Sequence, residues 1–208
     1  MSSIGETVSE MSTPPQPVKS LAIEKIKQLL GETGFIEHKD EMTPFLTEWR
    51  GYYTGDALLV VFPENVRMVS DVTKVCAEAG ISIVPQGGNT SMCGGAVPSS
   101  EGNAIVLSMS KMNKILSIDT TNYTMTVEAG CILQNLHEAA KDEDRYFPLS
   151  LAAEGSCMIG GNLATNAGGT TVLRYGNARE LVLGLEVVLP DGRILDQLTS
   201  LRKDNTGY

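Results

Sequence analysis

A chain of 208 residues that is 42% hydrophobic can bury one substantial core or two small ones, and its formal net charge of −9 disfavours nucleic acid and anionic membranes as partners. No stretch approaches the ~18 consecutive apolar residues of a membrane span, and the N-terminus lacks the basic-then-apolar order of a secretory signal. The four cysteines are widely spaced without a CxxC pair, which predicts reduced thiols rather than a zinc site or disulfides, and we expect an intracellular, cytoplasmic protein.

The N-terminal part of the chain divides into a tail and a helix. Residues 1–18 are rich in Ser, Thr, Glu and Pro, which predicts a mobile tail, and they contain no arginine, unlike a mitochondrial leader. From Ser20, a candidate helix cap, apolar residues recur at helical spacing, and Gly31 is placed to end that helix. We therefore expect the folded domain to occupy residues 19–208.

Strand and helix signals alternate in the next part of the chain. A buried strand is predicted over residues 57–62, a helix over 64–79 that Gly80 ends, and a strand over 81–84 that Pro85 stops. The order strand, helix, strand predicts a parallel, right-handed βαβ unit.

The rest of the chain predicts shorter strands and one more helix. Turn-like residues separate three short strands, which suggests antiparallel neighbours, at residues 104–108, 115–118 and 124–128. A helix is predicted over residues 132–141, and a turn at Pro190–Gly192 joins a long strand over 181–189 to a partner over 193–195. The expected fold class is α+β, with a small parallel βαβ subdomain and a larger mixed or antiparallel sheet flanked by helices.

The first glycine segment, residues 84–95, reads VPQGGNTSMCGG and follows the second predicted strand. Four glycines are expected in so short a segment only where the chain adopts special dihedral angles or approaches something closely. Successive backbone N–H groups in such a turn form a concave donor nest that holds a phosphate, and Thr90 and Ser91 add hydroxyl donors. A wide surface turn without a ligand is the alternative.

The second glycine segment, residues 154–169, reads EGSCMIGGNLATNAGG. Its small polar and apolar residues suit close wrapping around a ligand with polar and flat surfaces, and the alternative is a flexible loop. Two such segments indicate a dinucleotide or similar cofactor. Neither segment ends in the Gly-Lys-Ser/Thr of a Walker loop or matches GxGxxG at a helix start, which disfavours an ordinary Rossmann site.

Both glycine segments, together with Glu128–Cys131, Phe147–Leu149, Arg174–Gly176 and residues 183–192, resemble a known family. The pattern is similar to the PCMH-type FAD-binding domain of the vanillyl-alcohol oxidase type flavoproteins. Within that class it resembles the D-2-hydroxyglutarate and D-lactate dehydrogenase group, which includes proteins similar to glycolate oxidase. The terminal residues 201–208 match this group too, so the resemblance extends from about Trp49 to the last residue.

The resemblance implies that FAD lies against both glycine segments. The first would wrap the pyrophosphate through Pro85, Gly87, Gly88, Asn89, Thr90, Ser91, Gly94 and Gly95. The second wall, along the flavin and its ribityl and phosphate groups, would consist of Pro148, Leu149, Gly155, Ser156, Gly160, Gly161, Asn162, Thr165, Asn166, Gly168 and Gly169. Arg174 and Tyr175 would close the site, with a salt-bridged surface arginine as the alternative for Arg174.

The resemblance also implies that the FAD is held without a covalent bond. Some relatives carry a histidine that bonds to the flavin where this chain has Asn89, and a carboxamide is not a nucleophile. Two further positions depart from the pattern: Ser91 replaces the expected glycine, and Cys93 replaces a small aliphatic residue. Both side chains are small enough to fit.

The implied reaction is the oxidation of a D-2-hydroxy acid to its 2-oxo acid, with hydride transfer to the flavin. That reaction needs a base, cationic groups for the carboxylate and often a metal. His38 and His137 have no second histidine at ligand spacing, which predicts surface or packing roles. We therefore expect no catalytic or metal-binding residue within this chain, and a substrate domain beyond it.

The chain is accordingly interpreted as a fragment, an FAD-binding domain that is incomplete at its C-terminal end and inactive alone. The electron acceptor is not indicated. Two alternatives remain: a flavin-binding module without turnover, and a reductase of a cell-wall nucleotide sugar with the same fold. The ending Lys203–Tyr208 and the run Pro85–Thr90 resemble the dehydrogenases better than the reductases.

Overall fold

The computed structural model describes residues 16–201, and its first half is built around one four-stranded sheet. The elements are α1 (Gln16–Leu30), β1 (Phe35–Ile36), α2 (Lys39–Leu46), β2 (Leu59–Val61), α3 (Val66–Ala79), β3 (Ser82–Gln86) and β4 (Ala104–Ser108). The strand order is β1-β2-β4-β3. β4 runs parallel to both β2 and β3, and β1 pairs antiparallel with β2.

The sheet is buried because helices cover both of its faces. On one face, Ile26 of α1 and Val72 of α3 pack against strand residues such as Ile105. On the other face, Met42 of α2 packs near Val60 of β2 and Val106 of β4. A strand buried on both faces needs apolar residues at successive positions, which explains the continuous apolar runs of β2 and β4.

The structure corrects two expectations about this sheet. β2 and β3 are parallel, as expected for the βαβ unit, but β4 lies between them and does not join an antiparallel group. β3 also continues through Pro85 to Gln86 instead of stopping at the proline. β3 is an edge strand, where a residue without a backbone N–H is tolerated.

The helix boundaries follow local signals at their C-terminal ends. Gly31 and Gly80 adopt φ of 70° and 60°, the left-handed conformation that glycine favours after a helix, which confirms both as stop signals. The start of α1 differs, since Ser20 lies inside a helix that begins at Gln16 and does not cap it. Residues 1–15 of the expected tail lie outside the described residues.

The second half contains two hairpins, three α-helices, one 3₁₀ helix and a second core. The elements are β5 (Ile115–Asp119), β6 (Thr124–Val127), α4 (Leu133–Asp142), α5 (Ile159–Ala164), α6 (Val172–Tyr175), a 3₁₀ helix (Ala178–Leu181), β7 (Leu185–Val188) and β8 (Ile194–Gln197). β5 pairs with β6 and β7 with β8, both antiparallel. Within residues 16–201 these pairs are two separate two-stranded sheets, not one larger sheet.

The second core joins α4 to the second glycine segment. Its buried residues include Leu133 and Leu136 of α4, Leu149, and Ile159 of α5. The long strand expected over 181–189 is divided, because the 3₁₀ helix ends at Leu181 and β7 begins only at Leu185. Among the residues that the structure describes, no helix has the length and apolarity needed to cross a membrane.

Residues 48–53, which we call the aromatic loop, form a tight turn around a buried carboxylate between α2 and β2. Glu48 is 2% exposed, and its carboxylate accepts the backbone N–H groups of Arg50 at 2.7 Å and Tyr52 at 2.8 Å. The hydrogen bond from the Arg50 backbone N–H is the main cause that lowers the pKa of the Glu48 carboxyl, and burial has the opposite effect. The ionised carboxylate therefore fixes the shape of the loop.

The lowered pKa predicts a pH-dependent effect of Glu48→Gln. The pKa of Glu48 in the folded protein is lowered from its ordinary value of 4.5. The stability that ionised Glu48 contributes is therefore present above that value and is lost as the pH falls through the folded pKa. We expect Glu48→Gln to lower the thermal unfolding midpoint at pH 7, and its difference from the wild type to shrink as the pH falls through the lowered pKa of Glu48. The control Glu78→Gln changes an exposed glutamate of α3 and should leave the midpoint unchanged. Equal midpoints for Glu48→Gln and the wild type at pH 7 would contradict this role.

Candidate functional site

The first glycine segment leaves the end of β3 as a loop that one buried side chain closes. The Nε2 atom of Gln86 donates to the carbonyl oxygens of Phe45 at 2.8 Å and Ala96 at 2.7 Å. These bonds tie the start of the loop to its far end and to α2. Sequence reasoning did not single out Gln86, and the only signal was a polar residue at the end of an apolar strand.

The two glycine segments touch each other through their backbones. A Cβ atom on Gly88 would collide with the carbonyl oxygen of Ser156, and a Cβ on Gly87 would lie 3.2 Å from the Cβ of Met158. Only glycine at position 88 allows this approach. The structure therefore brings together the two segments that the sequence analysis selected, although they are far apart in the chain.

Four further glycines of the predicted site have two different kinds of surroundings. At Gly160 an added Cβ would lie 2.8 Å from the Cβ of Ala129, and at Gly169, with φ of 114°, it would collide with the carbonyl oxygen of Ser150. At Gly95 and Gly161, apart from chain neighbours and the backbone of the same helix, no described atom lies within 4 Å of the added Cβ. Glycine at positions 160 and 169 permits the chain to pack against itself, whereas Gly95 and Gly161 border open space.

Two asparagines of the predicted site hold loops in place. Asn89 and Asn166 both have φ of 51°, a conformation that asparagine adopts more readily than most residues. The Asn89 amide donates to the Thr47 carbonyl at 2.8 Å, and the Asn166 side-chain oxygen accepts the Arg179 N–H at 3.1 Å. Both side chains are therefore engaged with the protein's own backbone.

Several of the hydroxyl and proline residues that were predicted to contact FAD also form hydrogen bonds within the chain. The Thr165 hydroxyl donates to the Gly161 carbonyl at 2.9 Å, and the Ser91 oxygen accepts the Cys93 N–H at 3.2 Å. The carbonyl oxygen of Pro148 accepts a hydrogen bond from the Thr171 hydroxyl at 2.6 Å. These bonds fix the loops that carry the predicted contacts.

Asn162 of α5 presents a buried polar atom without a partner. The residue is 6% exposed, and its Oδ1 has no hydrogen-bond partner among residues 16–201. Burial raises the pKa of the neighbouring Cys157 thiol, and a hydrogen bond with the Asn162 side chain opposes that rise. Because buried acceptors are normally paired, the free Oδ1 indicates a site where a ligand donor completes the arrangement.

His137 links α4 to the second glycine segment. Its Nε2 lies 2.7 Å from the Leu149 carbonyl oxygen, and its Nδ1 lies 3.8 Å from a carboxylate oxygen of Glu154. These contacts fit the packing role expected for this histidine. Leu149 itself is buried in the second core, so its side chain packs inside the protein, and only its backbone could face a ligand.

Arg174 and Tyr175 lie exposed on α6. The guanidinium of Arg174 lies 5.3 Å from the centroid of the Tyr175 ring, and that ring meets Tyr146 edge-on at 6.2 Å. Among the described residues Arg174 therefore contacts an aromatic ring rather than a carboxylate. Tyr175 lines a shallow cavity with Tyr146 and Pro148, beside the second core.

The described part of the chain offers no metal centre. Within residues 16–201 no group of three or more His, Cys, Asp and Glu side chains could hold a metal ion. The donors of the site are instead neutral: backbone N–H groups, hydroxyls and amides. Neutral donors, open space at Gly95 and Gly161, and the unpaired oxygen of Asn162 fit a phosphate-bearing cofactor with a hydrogen-bonding ring system.

Comparisons with known proteins agree with this site chemistry. The FAD binding domain family model matches residues 57–197. A mitochondrial D-2-hydroxyglutarate dehydrogenase of Arabidopsis thaliana is 43% identical over 182 residues, which cover 88% of this chain and 32% of that protein. A mitochondrial D-2-hydroxyglutarate dehydrogenase of Bos taurus is 44% identical over 173 residues, which cover 83% of this chain and 31% of that protein. The chain thus spans about a third of the length of these curated relatives.

A solved structure shows the same fold at lower identity. An alkyldihydroxyacetonephosphate synthase superposes with a TM-score of 0.79 at 20% identity, covering 95% of this chain and 38% of that chain. At this identity the likeness concerns the fold alone. The predicted α+β fold of the PCMH type is confirmed by this likeness and by the family match.

The comparisons also correct one expectation and establish the family. Both relatives are named as mitochondrial, so the expectation of a cytoplasmic protein is wrong. That expectation relied on reduced cysteines and on the composition of residues 1–18, and neither property excludes a mitochondrial protein. Since the family model matches more than half of the chain, the protein belongs to the FAD binding domain family, and FAD is its cofactor.

Proposed function

We propose that this chain is the FAD-holding part of a dehydrogenase that oxidises a D-2-hydroxy acid, such as D-2-hydroxyglutarate or D-lactate, to the 2-oxo acid. The observation that carries the proposal is the backbone contact between the two glycine segments, in a chain 43% and 44% identical to two D-2-hydroxyglutarate dehydrogenases. When bound, FAD supplies the two-electron acceptor. Neither of these relatives is named as a reductase of a nucleotide sugar.

In this proposal the first glycine segment holds the pyrophosphate. Its charge-free sequence makes backbone N–H groups and the hydroxyls of Thr90 and Ser91 the donors. The bonds of Gln86 and Asn89 support this role, because they fix the loop before a ligand arrives. A loop held in its binding conformation loses less entropy on binding.

The second glycine segment lies along the flavin side of the cofactor. Gly161 gives room for close approach, and Asn162 offers its free oxygen to a flavin or ribityl donor. The contact predicted for Leu149 can involve only its backbone, because its side chain is buried in the second core. The exposed residues Arg174 and Tyr175 of α6 remain proposed contacts. Water is excluded on the protein side by the second core behind this segment.

We place the groups that hold and activate the substrate outside this chain. Oxidation of a hydroxy acid needs a base for the hydroxyl proton and cations for the carboxylate. Within residues 16–201 no group of three or more His, Cys, Asp and Glu side chains could hold a metal ion, and the Nε2 atom of His137 lies 2.7 Å from the Leu149 carbonyl oxygen. The relatives, about three times as long, have room for these groups elsewhere.

Gly161→Ala tests the cofactor site without disturbing the fold. The added methyl group enters open space and favours the helix by up to ~1 kcal/mol, so the free energy of unfolding should hold or rise. We expect the Kd for FAD to rise roughly tenfold, about 1.4 kcal/mol, because the methyl occupies cofactor space. Fluorescence titration with FAD and thermal unfolding without it measure the two effects.

Gly88→Ala is the contrasting variant, since its methyl group collides with the Ser156 carbonyl. It should lower the unfolding midpoint and FAD affinity together. A charged side chain at position 88 would collide with the same carbonyl oxygen. A loss of FAD affinity in that variant could therefore come from misfolding as well as from repulsion of the phosphates. Unchanged FAD affinity in Gly161→Ala would contradict the proposed second wall.

The attachment of FAD is predicted to be non-covalent. Asn89 donates its amide to Thr47 and is not a nucleophile, so acid or heat should release the flavin. After denaturing electrophoresis the protein band should show no flavin fluorescence. A fluorescent band would contradict this prediction, and Cys93→Ser would then show whether the exposed Cys93 thiol forms the bond.

The 208-residue chain with bound FAD is predicted to lack turnover. Positioning and orientation of a substrate can contribute ~7–11 kcal/mol to a reaction, and the proposal places those groups elsewhere. D-2-hydroxyglutarate, D-lactate and glycolate should leave the oxidised flavin absorbance unchanged under anaerobic conditions. Bleaching at a rate that saturates with one of these acids would contradict the prediction, and Arg174 would be the first residue to substitute.

A further inference from the structure

Another cavity lies at the edge of the four-stranded sheet where β2 and β4 begin. It has a volume of about 420 Å³ and lies between α1 and the segments that lead into these two strands. We call it the α1 cavity, and its walls include Lys19 and Ile23 of α1, Leu58 just before β2, and Glu101 and Asn103 just before β4. Its size falls within the range of pockets that hold small molecules.

The α1 cavity is separate from the glycine segments. The first glycine segment leaves the carboxyl end of β3, and β3 runs parallel to β4. Leu58 and Asn103 lie instead at the opposite edge, before the first residues of β2 and β4. A five-residue strand such as β4 is about 16 Å long, which keeps the two edges of the sheet well apart. A ligand in the α1 cavity would therefore not occupy the proposed cofactor site.

Asn103 brings a polar atom without a partner to the α1 cavity. Its Nδ2 donates to the Gly80 carbonyl at 3.3 Å, and its own carbonyl oxygen accepts the backbone N–H of Ser82 at 3.0 Å, which fixes the residue. Its Oδ1 is buried and has no hydrogen-bond partner among residues 16–201. Because buried acceptors are normally paired, this oxygen indicates that a further donor completes the site.

The α1 cavity also carries one unpaired charge of each sign. In the part of the chain that the structure describes, neither Lys19 nor Glu101 lies within ion-pair distance of an opposite charge. Glu24 also lines the cavity, but its carboxylate lies 3.1 Å from the Lys27 ammonium and is already paired. The charges left for a ligand are therefore one ammonium and one carboxylate.

We propose that the α1 cavity binds an α-amino acid with an aliphatic side chain. The ammonium of the ligand has three N–H donors and bonds to the Glu101 carboxylate and to Asn103 Oδ1. Its carboxylate pairs with the Lys19 ammonium, and its side chain packs on Ile23 and Leu58, which are partly buried against the first core. A simple amine would leave Lys19 unpaired, and a simple carboxylic acid would leave Glu101 and the Asn103 oxygen unpaired. The inference does not depend on where FAD lies.

L-Leucine and two molecules that each lack one of its charged groups test the inference. Isothermal titration calorimetry of the 208-residue chain at pH 7 should show saturable binding of L-leucine. 4-Methylpentanoate lacks the ammonium and 3-methylbutylamine lacks the carboxylate. Each should bind with a Kd about tenfold higher or more, because charge-assisted hydrogen bonds are lost. Bound FAD should leave the Kd for L-leucine unchanged.

Two variants assign the charged groups of the cavity. Lys19→Met keeps a long side chain and the helix propensity, and it should raise the Kd for L-leucine about tenfold without weakening 3-methylbutylamine. Glu101→Gln should weaken L-leucine by about the same factor without weakening 4-methylpentanoate. The controls Lys25→Met and Glu78→Gln change an exposed lysine of α1 and an exposed glutamate of α3, and they should bind all three molecules like the wild type.

Several results would overturn the inference. They are an absence of saturable L-leucine binding, binding of L-leucine no tighter than that of the two truncated molecules, and wild-type affinity for L-leucine in both Lys19→Met and Glu101→Gln. Competition between L-leucine and FAD would overturn it as well, because the ligand would then lie in the cofactor site.

Discussion

The close approach of Gly88 to the carbonyl of Ser156 is the contact on which the rest of the site depends. The first glycine segment extends from the parallel sheet, whose core is formed with α1 and α3. The second belongs to a separate core built around α4 and α5. A side chain at position 88 would hold these two cores apart. Their backbone contact instead brings together two regions that fold around different hydrophobic clusters.

Glycine serves two different purposes in the glycine segments. At Gly88, Gly160 and Gly169 it lets the protein pack on itself, whereas at Gly95 and Gly161 it leaves space unfilled. Side chains then fix the loops by donating to backbone carbonyls. We expect these loops to be ordered before the cofactor binds, and we expect the cofactor to pair with Asn162 Oδ1, which has no hydrogen-bond partner among residues 16–201.

Local features of the fold were predictable from the sequence, and long-range ones were not. The end of α3 at Gly80, the hairpin turn at residues 190–192 and both glycine segments depend on residues close together in the chain. The position of β4 between β2 and β3 depends on pairing between distant segments, which no local pattern encodes. The same holds for Gln86, whose partner Phe45 is 41 residues away, and for Leu149, whose burial follows from tertiary packing. The compartment was inferred wrongly because composition does not specify it.

We propose that FAD lies against both glycine segments at once. Hydrogen–deuterium exchange with and without FAD tests it most directly, because exposed or weakly bonded N–H groups in loops exchange readily until a ligand binds them. We expect FAD to slow exchange in residues 87–95 and in residues 154–169 and to leave exchange in the β7–β8 hairpin, which lies outside the proposed contacts, unchanged. Protection confined to one of the two glycine segments, or found only elsewhere in the chain, would contradict it.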